Sequence, residues 1–317
     1  GGTFTAPTPP VGGAVAAASP PQGSQEPRDA SSTSKLVLYL FSGPSDRQDG
    51  IPEMLRRSGM QCEAVDVCND PSHGAHSCDL SVDAVWERVL EGLRCGRYCA
   101  VVASPECKTF SRALGKGPGP RAVRSKELPY GLRRDAQLSL ADLERLKKGN
   151  YFALKTAEAL GVALRAGIPW VFENPEPVPS HASMFDFEEY IALAASSGVS
   201  TCDFDQCTQG AASTKPTRIL VFGADPPPEL SARCDHPRQE WVTTDPFGRR
   251  RVDYQAHAPI QGRKRKGGAW ATQALQAYPE GLNRIIVDMI VKAVARDPRP
   301  RPAKMAGEAK EDRDVLA

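Results

Sequence analysis

The sequence predicts an α/β fold built on a mostly parallel sheet, and three observations carry that expectation. Apolar runs of strand length recur at residues 36–41, 98–103 and 168–172. Between them lie segments whose apolar residues repeat at helical spacing. The opening order is strand, turn, helix, then a strand ending in an acid, as nucleoside-binding α/β folds require.

Residues 1–34 are rich in Pro, Gly, Ala, Ser and Thr, with Phe4 their only aromatic. They cannot bury enough apolar surface to offset ordering entropy, so a disordered linker is expected. Order begins with Leu36-Val37-Leu38-Tyr39-Leu40-Phe41, a buried parallel strand entering the turn Ser42-Gly43-Pro44-Ser45. Residues 51–58 predict a helix, with Pro52 in its first turn and Gly59 at its C-terminal cap. The next strand ends at Asp66, about 20 residues after the turn, where a carboxylate can hold ribose hydroxyls. Gly43-Pro44-Ser45-Asp46 lacks G-x-G-x-x-G, which favours a nucleoside without a pyrophosphate.

Residues 82–93 predict a helix with Val82, Val85, Trp86, Val89 and Leu93 as its core stripe. The strand at 98–103 then delivers Ser104-Pro105-Glu106-Cys107 into a loop. Free cysteine is ordinarily a small buried hydrophobe, but the carboxyl end of such a strand is where α/β sheets gather their chemistry. Cys107 is therefore a candidate nucleophile. From 108 to 134 there are eight basic residues (Lys108, Arg112, Lys116, Arg121, Arg124, Lys126, Arg133, Arg134) against one acid, Glu127. Such a loop suits a polyanionic substrate, since lysine and arginine neutralise phosphates.

Residues 138–164 read as helix interrupted near Lys147-Lys148-Gly149-Asn150. The strand at 168–172 ends in Glu173-Asn174-Pro175, placing Glu173 much as Cys107 is placed and making it a candidate partner. A helix near 187–195 precedes another strand at 214–222, with Lys215 and Arg218 at its entry. Residues 223–268, which include Arg249-Arg250-Arg251 and Arg263-Lys264-Arg265-Lys266, read as a small irregular subdomain or insertion. A last helix at 282–294 carries Ile285, Ile286, Met289, Ile290 and Val294. Residues 35–295 form the predicted domain, and 296–317 a disordered tail.

Composition is that of an ordinary soluble protein, 40% hydrophobic and 25% charged with a net charge of +2. No apolar stretch is long enough to span a bilayer and no secretory signal is visible, so a soluble, intracellular, monomeric protein without membrane contact is expected. The first residue is Gly, consistent with an excised piece of a longer polypeptide. Nine scattered cysteines favour reduced thiols. Cys202, Cys207, Cys234, His236 and His257 fit no compact zinc spacing, so no metal is expected. The basic run at 263–266 offers a phosphate contact or, in a eukaryote, a nuclear address.

These pieces, in this order, resemble the DNA cytosine-5 methyltransferase family. Tyr39-Leu40-Phe41-Ser42-Gly43 looks like its first motif. Ser104-Pro105-Glu106-Cys107-Lys108-Thr109-Phe110-Ser111 looks like its Pro-Pro-Cys-x-x-Phe-Ser motif, and Glu173-Asn174 like its Glu-Asn motif. The likeness is to the shortened phage and mobile-element branch, with Glu-Asn-Pro and a Cys-x-x-Gly…Lys-Pro-Thr segment at 207–217. Tyr39 stands where the family usually has an acid, and Glu106 where it has a proline.

The resemblance implies a Rossmann-like S-adenosylmethionine-dependent methyltransferase fold, helices on both faces of the sheet, and methyl transfer to cytosine C5 in DNA. Phe41, Ser42, Gly43, Asp66, Asp79 and Pro105 would then hold S-adenosylmethionine. Cys107 would be the nucleophile, Glu173 would hold the cytosine N3 edge, and Arg218 would assist at the base carbonyl. Lys108, Arg112, Lys116, Arg121, Arg124, Lys215, Arg249, Arg250 and Arg251 would meet nucleic acid. A cation beside the thiol, Lys108 or Arg112, would help form the thiolate. Two alternatives stand beside this: a non-catalytic nucleic-acid-binding module of a retroelement or phage-derived polyprotein, and an RNA cytosine methyltransferase.

Overall fold

A computed structural model describes residues 35–70, 77–111, 114, 120–132, 137–244, 248–259 and 276–296. The expected linker at 1–34, nearly all of the tail, Arg112, Lys116 and the run at 263–266 lie outside these residues.

The elements are β1 (Leu36–Leu40), α1 (Ile51–Arg57), β2 (Gln61–Val65), α2 (Asp83–Arg94), β3 (Ala100–Ala103), α3 (Leu140–Arg165) and β4 (Trp170–Pro175). There follow α4 (Glu188–Ala194), β5 (Val199–Asp205), β6 (Pro216–Phe222), β7 (Gln239–Thr244), β8 (Arg250–Gln255) and α5 (Glu280–Arg296). Six strands form one sheet in the order β2-β1-β3-β4-β6-β5. Strands β1 to β4 pair in parallel, and β6 runs antiparallel between β4 and β5. The chain is thus α/β with a mostly parallel sheet, as expected.

Successive strand residues point to opposite faces, and each face has its own core. Leu38, Leu40, Val101, Ala103 and Phe172 pack with Trp86 and Val89 of α2, Phe152 and Leu160 of α3, and Tyr190 of α4. Val37, Val102, Val171, Ile219 and Val221 pack with Ile51 and Leu55 of α1 and with Leu282, Ile286 and Ile290 of α5. Each such fully buried aliphatic side chain contributes about 1.5–3 kcal/mol. Of the predicted α2 stripe, Val82 is the exception: it precedes the helix and is 43% exposed.

Two expectations need correction. The helix at 138–164 is not interrupted; α3 runs unbroken through Gly149. A glycine is needed there because a Cβ would lie 2.6 Å from Thr109 Oγ1 and 2.8 Å from Arg124 Nη2. The absent side chain lets the loop after β3 dock on the helix. Gly149→Ala therefore destabilises the fold by about 1–3 kcal/mol through overpacking, although alanine is the better helix former by about 1 kcal/mol. A lowered urea midpoint checks this; an unchanged or raised one would mean the loop does not dock there. The second correction concerns 223–268, whose centre is a regular hairpin of β7 and β8 with Val242 opposite Val252.

Strand order reverses between β1 and β3: the chain leaves β1 toward β2 on one side and continues from β3 toward β4 on the other. The loops after β1 and β3 part at that point, and ligands of open α/β sheets bind in this crevice.

Candidate active site

Cys107 lies half-buried just beyond β3 and opens a single 3-10 turn, Lys108–Phe110. Its carbonyl accepts the Phe110 amide at 2.9 Å. Buried Pro105 precedes it, and the Pro105 carbonyl accepts a 3.1 Å hydrogen bond from Asn174 Nδ2 at the end of β4. Asn174 thereby ties the Cys107 loop to the neighbouring strand.

Glu173 is 7% exposed at the end of β4. Buried Tyr278 donates its hydroxyl to Glu173 Oε2 at 2.7 Å. Gln206, fully buried, reaches Glu173 Oε1 through a long 3.5 Å contact and donates to Thr217 Oγ1 at 3.0 Å. Ser104 lies beside the hydroxyls of both Tyr39 and Tyr278, so the carboxylate has a group of hydroxyls around it. Burial pushes both tyrosine pKa values far up, keeping these hydroxyls as donors.

Burial first, and then the Glu173 charge, push the Cys107 thiol up to about 11 against the opposing Lys215 ammonium. Among the described residues, Lys215 is the cation whose charge reaches the thiol. Lys108 is exposed and paired with Glu106 at 2.8 Å. Lys215 holds a left-handed backbone (φ 37°), uncommon for a non-glycine residue, and its ammonium lies 5.4 Å from the Tyr278 ring centroid. Such strain persists only where the surroundings enforce it.

The pairing fixes two outcomes for iodoacetamide labelling of Cys107. Only the thiolate reacts, so labelling speeds up about tenfold per pH unit until pH approaches about 11. Lys215→Met removes the group that lowers the pKa and slows labelling at pH 8 by about three- to tenfold. Glu173→Gln removes a group that raises it and speeds labelling by a similar factor. Mass spectrometry of the Cys107 peptide reads both; rates that ignore either change would mean the charges do not reach the thiol.

Arg218 is not in this group. It is in register with Asn174, not Glu173, and so projects to the opposite face. There Asp203 grips it with two 2.7 Å hydrogen bonds, beside the Phe185 ring.

The residues expected to hold a cofactor lie in the segments that follow β1, β2 and β3. Phe41 (φ 58°) and Gly43 (φ 64°) are both left-handed, and the Phe41 ring packs on Trp86 and Phe152. Asp66 accepts the Gly43 amide at 3.0 Å and the Cys68 amide at 3.1 Å, one on each oxygen. Asn69 donates to Ser42 Oγ and the Gly43 carbonyl. Asp79 accepts the Ser81 amide at 2.8 Å. A Cβ on Gly43 would meet nothing within 4 Å, so the backbone there faces open space.

Of the basic residues, Lys108, Arg121, Arg249, Arg250 and Arg251 are exposed, and Arg251 pairs with Asp253. Arg124 is not available to phosphate. It is 6% exposed, lies 4.0 Å from the Phe110 ring centroid, and binds Thr109, the Pro129 carbonyl and Asn150. Sequence reasoning missed Gln206 and the part played by Tyr278, which reach Glu173 from distant segments, and read Thr217 only as the end of a Lys-Pro-Thr segment, whereas its hydroxyl accepts from Gln206.

The chain matches no protein-family model and no curated protein. No helix among the described residues is long and apolar enough to cross a membrane.

Proposed function

We propose that this chain transfers a methyl group from S-adenosylmethionine to C5 of cytosine in DNA, through a covalent bond to Cys107. The observation that supports the reading is the meeting of the Cys107 thiol with a buried carboxylate, Glu173, and a cation, Lys215, beyond the ends of strands β3 and β4. Cytosine C5 is a poor nucleophile until something adds at C6.

In this reading the Cys107 thiol loses its proton to water, the thiolate Sγ bonds to C6, and the C5–C6 π pair shifts toward C4 and N3, which leaves C5 enamine-like. Glu173, held by Tyr278 and Gln206, stabilises the developing charge at N3. Splitting one hard substitution into addition and elimination is the general gain of covalent catalysis. S-adenosylmethionine supplies the electrophilic methyl group when bound. Phe41, Ser42, Gly43, Asp66, Asp79 and Pro105 would hold it; the open face at Gly43 and the acid beyond β2 suit a nucleoside. The C5 proton then passes to water, the Sγ–C6 bond breaks, and Cys107 is regenerated. The topology fits a Rossmann-like methyltransferase, with one antiparallel strand inserted before the edge. Lys108, Arg121 and the β8 arginines would neutralise phosphates, and the target base leaves the stack at a cost of a few kcal/mol.

A duplex containing 5-fluorocytosine tests this, because fluorine at C5 blocks the elimination. A cofactor-dependent protein–DNA adduct that survives denaturation and maps to Cys107 is expected. No adduct, on DNA or on RNA of the same sequence, sinks the proposal; an adduct on RNA alone moves the substrate to RNA.

A second reading, a non-catalytic nucleic-acid-binding module, draws on Asp66, whose two oxygens each already hold a backbone amide. Calorimetry with S-adenosylmethionine separates the two, since cofactor binding removes this reading.

A further inference from the structure

Away from Cys107, four side chains that share no sequence motif come together. Cys207 sits in the turn Gln206–Gln209 after β5, Cys234 and His236 on the segment leading into β7, and His257 just after β8. One donor atom from each lies within 4.8 Å of every other. Cys234 Sγ is 3.5 Å from His236 Nδ1 and 3.3 Å from His257 Nε2. The two imidazoles meet edge to face at 4.8 Å between centroids.

The geometry points to a structural zinc site with Cys207, Cys234, His236 and His257 as its four ligands. Zn–S bonds of about 2.3 Å and Zn–N bonds of about 2.0–2.1 Å at tetrahedral angles set S–N edges at about 3.6 Å. The two sulfur–nitrogen separations involving Cys234 fall close to that edge. Two thiolates and two imidazoles in a four-cornered set select zinc among common ions, and four protein ligands leave no open position for catalysis. Binding sends the two thiol protons to solvent and uses one lone pair from each ring.

The surroundings hold the corners in place. Cys207 is 6% exposed. The Cys234 amide donates to Asp205 Oδ2 at 2.8 Å, and the Asp205 amide donates to the Ala232 carbonyl at 3.0 Å. Gly281, in the first turn of α5, packs so closely on the Gln209 carbonyl that a Cβ would lie 2.6 Å from it. The site also meets a need of the fold. Neither β7 nor β8 buries a residue, and Val242, Val252 and Tyr254 are each more than half exposed. A two-stranded ribbon without a core is marginal by itself. Ligands on both flanks of this hairpin, joined through one ion to Cys207, would clamp it to the end of the main sheet. The expectation of no metal rested on spacing, which cannot register ligands that only the fold assembles.

The untagged full chain, purified under reducing conditions, should carry one zinc per molecule through gel filtration, measured by elemental mass spectrometry. Replacement by Co²⁺ should give the intense visible bands of a tetrahedral ion together with a thiolate-to-cobalt band. Cys234→Ser and His257→Gln should lose the metal, and Cys202→Ser should keep it. Should the two ligand variants not fold, Co²⁺ titration of chelator-stripped wild type reads the same site. Wild type without zinc and without the cobalt spectrum overturns the proposal. So does a Cys207–Cys234 disulfide in the reduced preparation, or full zinc in Cys234→Ser.

Discussion

If the proposed covalent route operates, replacing Cys107 by alanine should abolish methyl transfer, by about 10⁴-fold or more, and leave the proposed DNA binding in place. The size follows from its part: with the thiol gone nothing adds at C6, and the remaining contacts only position the base. Glu173→Gln should cost a comparable loss in turnover while leaving the thiol more reactive toward iodoacetamide, because the same carboxylate raises the Cys107 pKa and, in the proposed reaction, would hold the base. A dead but hyper-reactive variant is hard to obtain from misfolding, which would expose or disorder other cysteines as well. Tyr278→Phe should fall between, since a hydrogen bond to a charged group is worth about 1.5–3 kcal/mol, or roughly ten- to a hundredfold in rate. Single-turnover methylation of a tritium-labelled duplex measures all three. A Cys107→Ala variant with ordinary turnover would remove the covalent route altogether.

The parts of this architecture legible in the sequence are those that local chemistry decides. Strands β1, β3 and β4 are buried on both faces, so they read as continuous apolar runs, and the Cys107 and Glu173 positions followed from where those runs stop. What escaped was set by non-local pairing. Lys215 reaches the thiol because β6 enters the sheet antiparallel beside β4, which no periodicity encodes. The same alternation turns Arg218, three residues later, to the other face, although both looked equivalent at the strand entry. Tyr278 joins Glu173 from far along the chain, just before α5. The Cys/His cluster is scattered in sequence because its members flank a hairpin and follow a strand.

Arg124 illustrates the opposite error, in which composition gave a uniform meaning to residues of different kinds. A basic loop reads as a phosphate surface, yet Arg124 is the spine of that loop. Its guanidinium covers Phe110 and satisfies Thr109, the Pro129 carbonyl and Asn150 together. Burial lowers its pKa, with no described carboxylate to restore it, but arginine still holds its proton. Arg124→Ala would strand these acceptors at about 1–3 kcal/mol each, so the total loss should be roughly 3–5 kcal/mol. Arg124→Lys should rescue little, because an ammonium cannot span donors arranged for a planar fork. Exposed Arg121 provides the contrast. Arg121→Ala should leave stability within about 0.5 kcal/mol and flatten the salt dependence of DNA binding by about one unit of slope. Urea denaturation and salt-dependent binding, measured on both variants, separate the two roles. An Arg124→Ala protein as stable as wild type but with a flattened salt slope would return this residue to the proposed nucleic-acid surface and leave the Thr109–Gly149 contact to anchor the loop without it.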